Sequence, residues 1–164
     1  MGKFAAWAVL AWFSLATAIW TAPVSMTHVG GAVPEQESFE HACTFDEPGM
    51  KNCSDTSSYL WRLSGARSLT TTWEPGREDI KTITGTLIHE HTDCPDSRIG
   101  WTIDAGGRTD GTLTSGSPTA KLDIAVRQPL REITLTVRRL DTATCAGALR
   151  WSDPRLKPPY KLLP

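Results

Sequence analysis

Two histidines with a spacing of two form the cluster in the sequence that most resembles a chemical site. His89 and His91 flank Glu90, and Asp93 follows closely. Side chains two residues apart in a strand point to the same face, so the imidazoles could bind zinc or copper if a third ligand came from elsewhere. A polar loop that leads into Cys94 accounts for the same residues, and a pH-sensitive contact is a further alternative. The loop is the simpler explanation, so we predict no metal site and no cofactor.

The sequence contains no recognisable catalytic motif. A serine hydrolase of the α/β type would need a Gly-x-Ser-x-Gly elbow between a strand and a helix, and this motif is absent. A glycosidase needs two carboxylates across a cleft. Nothing in the sequence pairs the available acids, which are Glu74, Glu78, Asp104 and Asp110. We therefore predict no catalytic residues, and a small secreted hydrolase remains only an alternative.

Tryptophan side chains are better candidates for ligand contact, because aromatic faces offer a large stacking surface to sugars. Three tryptophans are in phase with the apolar positions of alternating runs and are predicted to lie in the core: Trp61, Trp101 and Trp151. Trp73 instead lies beside a turn, followed by Glu74 and by Arg77. We predict that Trp73, Glu74 and Arg77 form an exposed binding loop. The alternative is that Trp73 is a hydrophobic plug over the open end of the core.

The N-terminus has the pattern of an export signal. Lys3 is followed by an apolar run from Phe4 to Trp20. The run is also just long enough for an uncleaved membrane anchor, and it is apolar all round, which disfavours the alternative of a buried hydrophobic helix in a soluble fold. We predict a signal peptide or N-terminal anchor helix over residues 1–22. The rest of the chain is then extracytoplasmic, secreted or membrane-anchored, with membrane contact only through an uncleaved leader.

Four cysteines follow the leader. An even number of cysteines in an exported chain predicts two disulfides. Cys43 and Cys53 flank a short turn-rich segment, whereas Cys94 and Cys145 each lie beside a predicted strand. Of the three connectivities, we prefer Cys43–Cys53 with Cys94–Cys145. Zinc binding by these residues is disfavoured, because none of the usual cysteine and histidine spacings occurs.

The charge of the chain is nearly balanced but unevenly distributed. The net charge of −1 and the pI of about 6.4 argue against a nucleic-acid partner, which requires a basic surface. Residues 35–58 are acidic, and the chain from Lys121 onward is basic. An acidic arm lying against a basic sheet and the binding of an anionic polymer are both compatible with this distribution.

Alternation of apolar and polar residues predicts the fold class. Runs with a period of two occur near residues 59–63, 83–87, 99–103, 122–126, 133–137 and 149–151, separated by turn residues. Each run has one apolar and one polar face, which is typical of antiparallel strands that cover a core on one side. We predict an all-β chain in which a jelly-roll-like antiparallel β-sandwich spans residues 43–164. A flexible linker over residues 23–42 joins this sandwich to the leader helix.

The C-terminal third resembles a known family. Gly100-Trp101-Thr102-Ile103-Asp104 is followed by two alternating runs and by a last strand with Trp151, Asp153 and Leu156. This order resembles the C-terminal half of the carbohydrate-binding module family NPCBM, galactose-binding-like sandwiches attached to secreted bacterial glycosidases. The resemblance covers about residues 99–156. Upstream, Gly85-Thr86-Leu87-Ile88-His89 matches the family's motif only in part, since Leu87 replaces its second glycine.

The resemblance implies a bacterial, extracytoplasmic, non-catalytic binding module whose partner is a glycan or another component of the cell envelope. A structural or protein-interaction ectodomain without a small ligand is the alternative. An exposed aromatic side chain in a shallow groove would favour the first function. A charged surface with every tryptophan buried would favour the second.

Overall fold

The computed structural model describes residues 24–46, 50–63, 68–90, 92 and 94–159, with no side-chain description for residues 37–56. The predicted leader at residues 1–22 lies outside these ranges. Within them, no helix is long and apolar enough to cross a membrane.

Ten strands form two five-stranded sheets. The strands are β1 Met26–Gly31, β2 Glu35–Asp46, β3 Met50–Arg62, β4 Ser68–Pro75, β5 Thr82–Glu90, β6 Ile99–Asp104, β7 Arg108–Leu113, β8 Thr119–Ala125, β9 Ile133–Arg139 and β10 Ala148–Lys157. One sheet has the order β1-β4-β9-β6-β7 and the other β2-β3-β10-β5-β8. All the pairings between these strands are antiparallel. The predicted all-β sandwich is confirmed.

Alternating side chains build the core between the sheets. In β9, Ile133, Leu135 and Val137 are fully buried, while Thr134 and Thr136 lie on the opposite face. Three tryptophans meet edge to face at the centre: Trp73 packs against Trp61 and against Trp151, each with ring centroids 5.9 Å apart. This geometry is favourable for aromatic pairs. The prediction that Trp61, Trp101 and Trp151 lie in the core is confirmed.

The expectation of a flexible linker over residues 23–42 is wrong for most of that segment. β1 pairs with the edge of β4 over Met26–Gly31, and β2 begins at Glu35. Main-chain hydrogen bonding to an existing sheet edge needs no apolar alternation, which is why the sequence did not indicate these strands. The sandwich therefore starts at Met26 and not at residue 43.

A bulge interrupts β10. The pairing of β10 with β5 shifts by one residue between Ser152 and Arg155, and Asp153 has a φ of 49°. Before the bulge Trp151 faces the core, and after it Leu156 does so. The extra residue thus keeps apolar side chains inward on both halves of one long strand.

The two ends of the sandwich differ in what they carry. At one end β1 begins, β5 begins and β10 ends, since Met26 lies opposite Pro75 and Thr82 lies opposite Lys157. We call this the termini end. At the other end β3 and β5 end and β10 begins, with Ala148 opposite both Arg62 and Glu90. We call this the cleft end.

The two predicted disulfides have different outcomes. Cys94 and Cys145 are bonded at the cleft end, with Cα atoms 5.4 Å apart. The backbone register places Cys43 directly opposite Cys53 in the β2–β3 ladder. The side chains of that hairpin are outside the described set, so the Cys43–Cys53 bond stays a prediction.

Candidate functional site

A cleft of about 480 Å³ opens on the outer face of the β3-β10-β5 layer, at the cleft end. Its walls include Arg62 on one side and Glu90 with Thr92 on the other, and residues 146–148 lie between them. Arg62, Ala148 and Glu90 form one row across three neighbouring strands. Residues opposite each other in a ladder share a face, so the backbone alone brings a cationic and an anionic side chain to either side of an alanine.

Small residues explain why there is space at this point. Ala148 is largely buried between two long side chains, and Gly147 precedes it. A Cβ at Gly147 would lie 3.1 Å from Nη1 of Arg139, which leaves little room for a larger residue beneath the cleft. Gly147 and Ala148 thus leave space for a ligand in the cleft, and Gly147 packs against Arg139 on the other side.

Two ion pairs set the charge of the cleft. Nε of Arg150 donates to Oε1 of Glu90 over 2.6 Å, and Nη1 of Arg150 donates to Oγ of Ser58 over 3.3 Å. Arg62 pairs with Glu35 at 3.2 Å, but both side chains are more than half exposed. An exposed pair of this kind contributes little to stability, so Arg62 can exchange its partner at low cost. Arg150 is more firmly held, because its pair with Glu90 is partly buried.

A buried arginine holds the loop that leads into the cleft floor. Arg139, only 5% exposed, pairs with Asp141 and donates from Nη1 to the Cys145 carbonyl over 2.7 Å. Asp141 also accepts hydrogen bonds from the backbone N–H groups of Arg98 and Ala143. The Arg139 guanidinium and these donors hold the pKa of Asp141 well below its usual range. The loop between β9 and β10 is therefore fixed by a charged network and by the adjacent disulfide.

The one histidine of the sequence cluster that the structure describes is a buried residue. Nε2 of His89 lies 2.6 Å from Oγ of Ser97, and that hydroxyl donates to the Cys94 carbonyl over 2.8 Å. Both side chains are about 1% exposed. Because the Ser97 proton is directed to Cys94, His89 acts as the donor toward Ser97 and not as its base. The pair therefore lacks the geometry of an activated nucleophile.

A metal site has no support in the described part of the chain. His91 and Asp93 lie outside it, and the residues within it include no group of three or more metal-ligating side chains. The His89 side chain is directed into the core, so it is not presented to solvent.

In the predicted binding loop, Trp73 and Glu74 belong to strand β4, and only Arg77 lies in the connection that follows. Trp73 lies within β4, is 1% exposed and packs against two other tryptophans, so the structure places it inside the core and not at the surface. The turn chemistry after it suggested a loop, but the strand continues to Pro75. Glu74 is exposed, and Arg77 donates to Asp79 over 2.7 Å. These residues lie at the termini end, away from the cleft.

Among the residues that the structure describes, no Phe, Tyr or Trp lines the cleft. The Trp and Tyr side chains that the structure describes are all 9% exposed or less: Tyr59, Trp61, Trp73, Trp101 and Trp151. A ligand bound to the described surface would be recognised through charged and polar groups and not through stacking.

Arg62, Glu90 and Arg150 were not among the predicted site residues. Each occupies an outward position of a predicted strand or its continuation, and their opposite charges were visible in the sequence. Their proximity depends on the register of β10 with both neighbours, which the alternation does not specify.

Comparison with known proteins yields only distant structural similarity. No family model matches the chain, and no curated protein matches it. One similar solved structure is that of TmCBM61 in complex with beta-1,4-galactotriose, with 13% identity, a TM-score of 0.37, and coverage of 84% of this chain and 90% of that one. Another is a family two carbohydrate esterase from Cellvibrio japonicus, with 12% identity, a TM-score of 0.33, and coverage of 85% and 37%. Membership of the NPCBM family is not established by any family model.

Proposed function

We propose that this chain is a non-catalytic, extracytoplasmic binding module that takes a hydroxyl-rich ligand, a carbohydrate or cell-wall polymer, in the cleft between Arg62 and Glu90. The observation that carries the proposal is the arrangement of opposite charges on facing walls above a floor of small residues. The Cys94–Cys145 disulfide supports an oxidising location, since such bonds persist mainly outside the cytoplasm.

The chemistry of the walls suits a ligand that both donates and accepts hydrogen bonds. The Glu90 carboxylate only accepts, and the Arg62 guanidinium group only donates. Sugar hydroxyls can satisfy both kinds of group at once, and charge-assisted hydrogen bonds are stronger than neutral ones. The small residues Gly147 and Ala148 allow a ligand to approach the sheet closely.

Retention of the whole purified chain on isolated cell walls and on immobilised glycans tests this function. Arg62→Ala should reduce affinity by about 1–3 kcal/mol, the range typical of an interface anchor. Its exposed pair with Glu35 makes a large loss of stability unexpected. Arg108→Ala is a matched control, because Arg108 is also an exposed arginine near an aspartate but lies on the other sheet.

A second variant blocks the cleft without removing a charge. Ala146 is exposed and borders the cleft, so Ala146→Trp should abolish retention while the melting temperature stays near that of the wild type. Equal retention of wild type, Arg62→Ala and Ala146→Trp would exclude the cleft as the binding site.

A protein-interaction ectodomain is the second candidate. The burial of every Trp and Tyr side chain among the described residues favours it, because stacking platforms are common in sugar sites. Failure of glycans and cell-wall polymers to retain the chain, with retention on protein that Arg62→Ala abolishes, would support this function instead.

A further inference from the structure

Arg62 is the charged residue of the cleft whose partner can be exchanged most easily. Its Nε donates to both carboxylate oxygens of Glu35, over 3.3 and 3.2 Å, and the two side chains are 55% and 57% exposed. The two Nη groups of Arg62 have no hydrogen-bond acceptor among the described residues. Most donors of this guanidinium are therefore available to a ligand in the cleft.

The other charges close to the cleft have firmer partners. Glu90, on the facing wall, forms a partly buried ion pair with Arg150. Below the floor, Asp141 and Arg139 form an ion pair with side chains only 11% and 5% exposed. Partly and fully buried pairs are costly to separate, because each removal leaves a charge without its partner. A ligand with a charged group is thus expected to interact first with Arg62.

Further acids at the cleft end do not line the cleft, as far as the structure describes them. Asp96 is exposed on the connection after β5, outside the lining. Glu37 lies opposite Ser58, four residues from Arg62 along β3. The β2–β3 hairpin turns about 40 Å away, because β3 is 13 residues long and reaches the cleft only at its last residue. A ligand at Arg62 therefore has to displace one carboxylate, and it needs no positively charged surface.

The group that can best displace Glu35 is another carboxylate. A guanidinium holds a carboxylate through two parallel N–H···O bonds, and such charge-assisted pairs are stronger than bonds to neutral oxygens. Exchange of Glu35 for a ligand carboxylate keeps the charge of Arg62 compensated, whereas a neutral sugar would leave it uncompensated. The exposed pair with Glu35 contributes little to stability, so the exchange costs little in the protein itself.

The width of the cleft fits a sugar ring beside this carboxylate. Arg62 and Glu90 lie on either side of Ala148 in one row, so their Cα atoms are about 10 Å apart. A ring above Ala148 and Gly147 can direct a carboxylate to Arg62 and hydroxyl groups to the acceptor oxygens of Glu90.

We propose that the cleft is selective for saccharides that carry a carboxylate, such as uronic acids, and that Glu35 occupies Arg62 until this carboxylate replaces it. The inference rests on the proposed function and names the ligand class of the same site. The carboxylate can belong to a uronate polymer or to the lactyl and peptide groups of peptidoglycan, and the two sources are tested separately.

Affinity of the whole chain for polygalacturonate and for its methyl ester tests the selectivity, because the two polymers differ only in the charge of the carboxyl group. The acid form should bind about tenfold more tightly than the ester, and added salt should reduce this difference. Arg62→Ala should bind both forms with equal, weak affinity. Peptidoglycan before and after amidation of its carboxyl groups provides the same comparison for the second source.

Glu35→Gln tests the exchange itself. It removes the internal competitor, so affinity for the acid form should rise about two- to fivefold. Asp110→Asn is the matched control, since Asp110 is an exposed acid beside Arg108 on the other sheet, and it should leave affinity unchanged. A loss of affinity in Glu35→Gln would overturn the exchange.

The outcomes separate this inference from the proposed function. Equal affinity for the charged and uncharged forms of both polymers, with retention that Arg62→Ala abolishes, would overturn the carboxylate selectivity and leave the proposed function in place. Failure of the wild type to bind any glycan or cell-wall polymer would overturn both.

Discussion

Thr71 shows how a single buried hydroxyl can join the two sheets. It occupies an inward position of β4 and is fully buried. Nε1 of Trp61, on the opposite sheet, donates to Oγ1 of Thr71 over 2.8 Å, and this hydroxyl donates to the Ala32 carbonyl over 2.7 Å. The Thr71 hydroxyl therefore accepts a hydrogen bond from the Trp61 indole and donates one to the backbone that follows β1.

Thr71→Val should destabilise the fold by about 2–3 kcal/mol, because it leaves the Trp61 indole and the Ala32 carbonyl without their partner. Urea denaturation measures the loss. Thr70→Val is the control, since Thr70 is exposed on the same strand, and its effect should be within about 0.5 kcal/mol. Similar losses of unfolding free energy in both variants would show that the two hydrogen bonds of Thr71 do not stabilise the fold.

Asp141 gives the fold a dependence on pH at the acidic side. Its pKa in the folded state lies well below the unfolded value near 3.8, so the folded state favours the ionised carboxylate. The resulting stabilisation is fully present above the unfolded pKa and is lost as the pH falls through the folded pKa.

Asp141→Asn should cost about 2–4 kcal/mol at pH 7, because Arg139 would remain buried without its carboxylate. The difference in unfolding free energy between wild type and variant should shrink progressively below about pH 4. Denaturation at several pH values measures this difference. A difference that stays constant down to pH 2 would contradict the assigned role.

At the scale of the element, β1 depends on one glycine for its position against β4. Gly31 has a φ of 76°, and a Cβ there would overlap the carbonyl oxygen of Thr70. Its neighbour Gly30 has no such constraint, since the nearest atom to a Cβ would be 4.0 Å away. The two adjacent glycines form a natural pair for comparison.

Gly31→Ala should destabilise the protein by about 1–3 kcal/mol through backbone strain, with faster amide exchange over β1. Gly30→Ala should leave stability nearly unchanged. Thermal unfolding and hydrogen exchange measure the two effects. Equal exchange of β1 in both variants would mean that its docking does not depend on the Gly31 conformation.

The alternation of the sequence predicted the strands whose inward faces are wholly apolar. β9, with Ile133, Leu135 and Val137, is an example. It did not predict β4, because Thr71 places a polar residue inside, and the partners that make this position tolerable come from β3 and from the segment after β1. The strands at the N-terminus were missed because they are held mainly by backbone pairing.

The candidate cleft was less predictable than the fold. Its charged residues occupy outward positions, where apolar periodicity carries no information, and the row that joins Arg62 to Glu90 exists only through the register of β10. Trp73 is a further case in which the sequence pattern did not indicate the position of a side chain. A turn signal placed it at the surface, whereas the packing of three tryptophans places it inside.

At the scale of the whole molecule, the Cys94–Cys145 bond closes a loop with a sequence separation of 51. It joins the segment after β5 to the segment before β10, so both borders of the cleft are held by one cross-link. Its position beside the cleft makes it a constraint on the site as well as on the fold.

Replacing both cysteines by alanine should reduce stability by about 4 kcal/mol, the loop-entropy value for a loop of this length. Unfolding of the oxidised and variant proteins measures the loss. Peptide mapping without reduction should also recover Cys43 linked to Cys53, as their register predicts. Recovery of Cys43 linked to Cys145 would refute both pairings.

The bulge at Asp153 adds one residue to β10, so the residue numbers that face the core change from odd to even along the strand. Residues with odd numbers face inward before it, as Trp151 does, and residues with even numbers face inward after it, as Leu156 does. A regular ladder that kept Asp153 would turn Leu156 to the solvent and Arg155 to the core, because five residues separate Trp151 from Leu156. Deletion of Asp153 would instead leave Trp151 and Leu156 four positions apart, on the same inward face of a regular strand. The inward position of Leu156 therefore depends on the one-residue shift in register at Asp153.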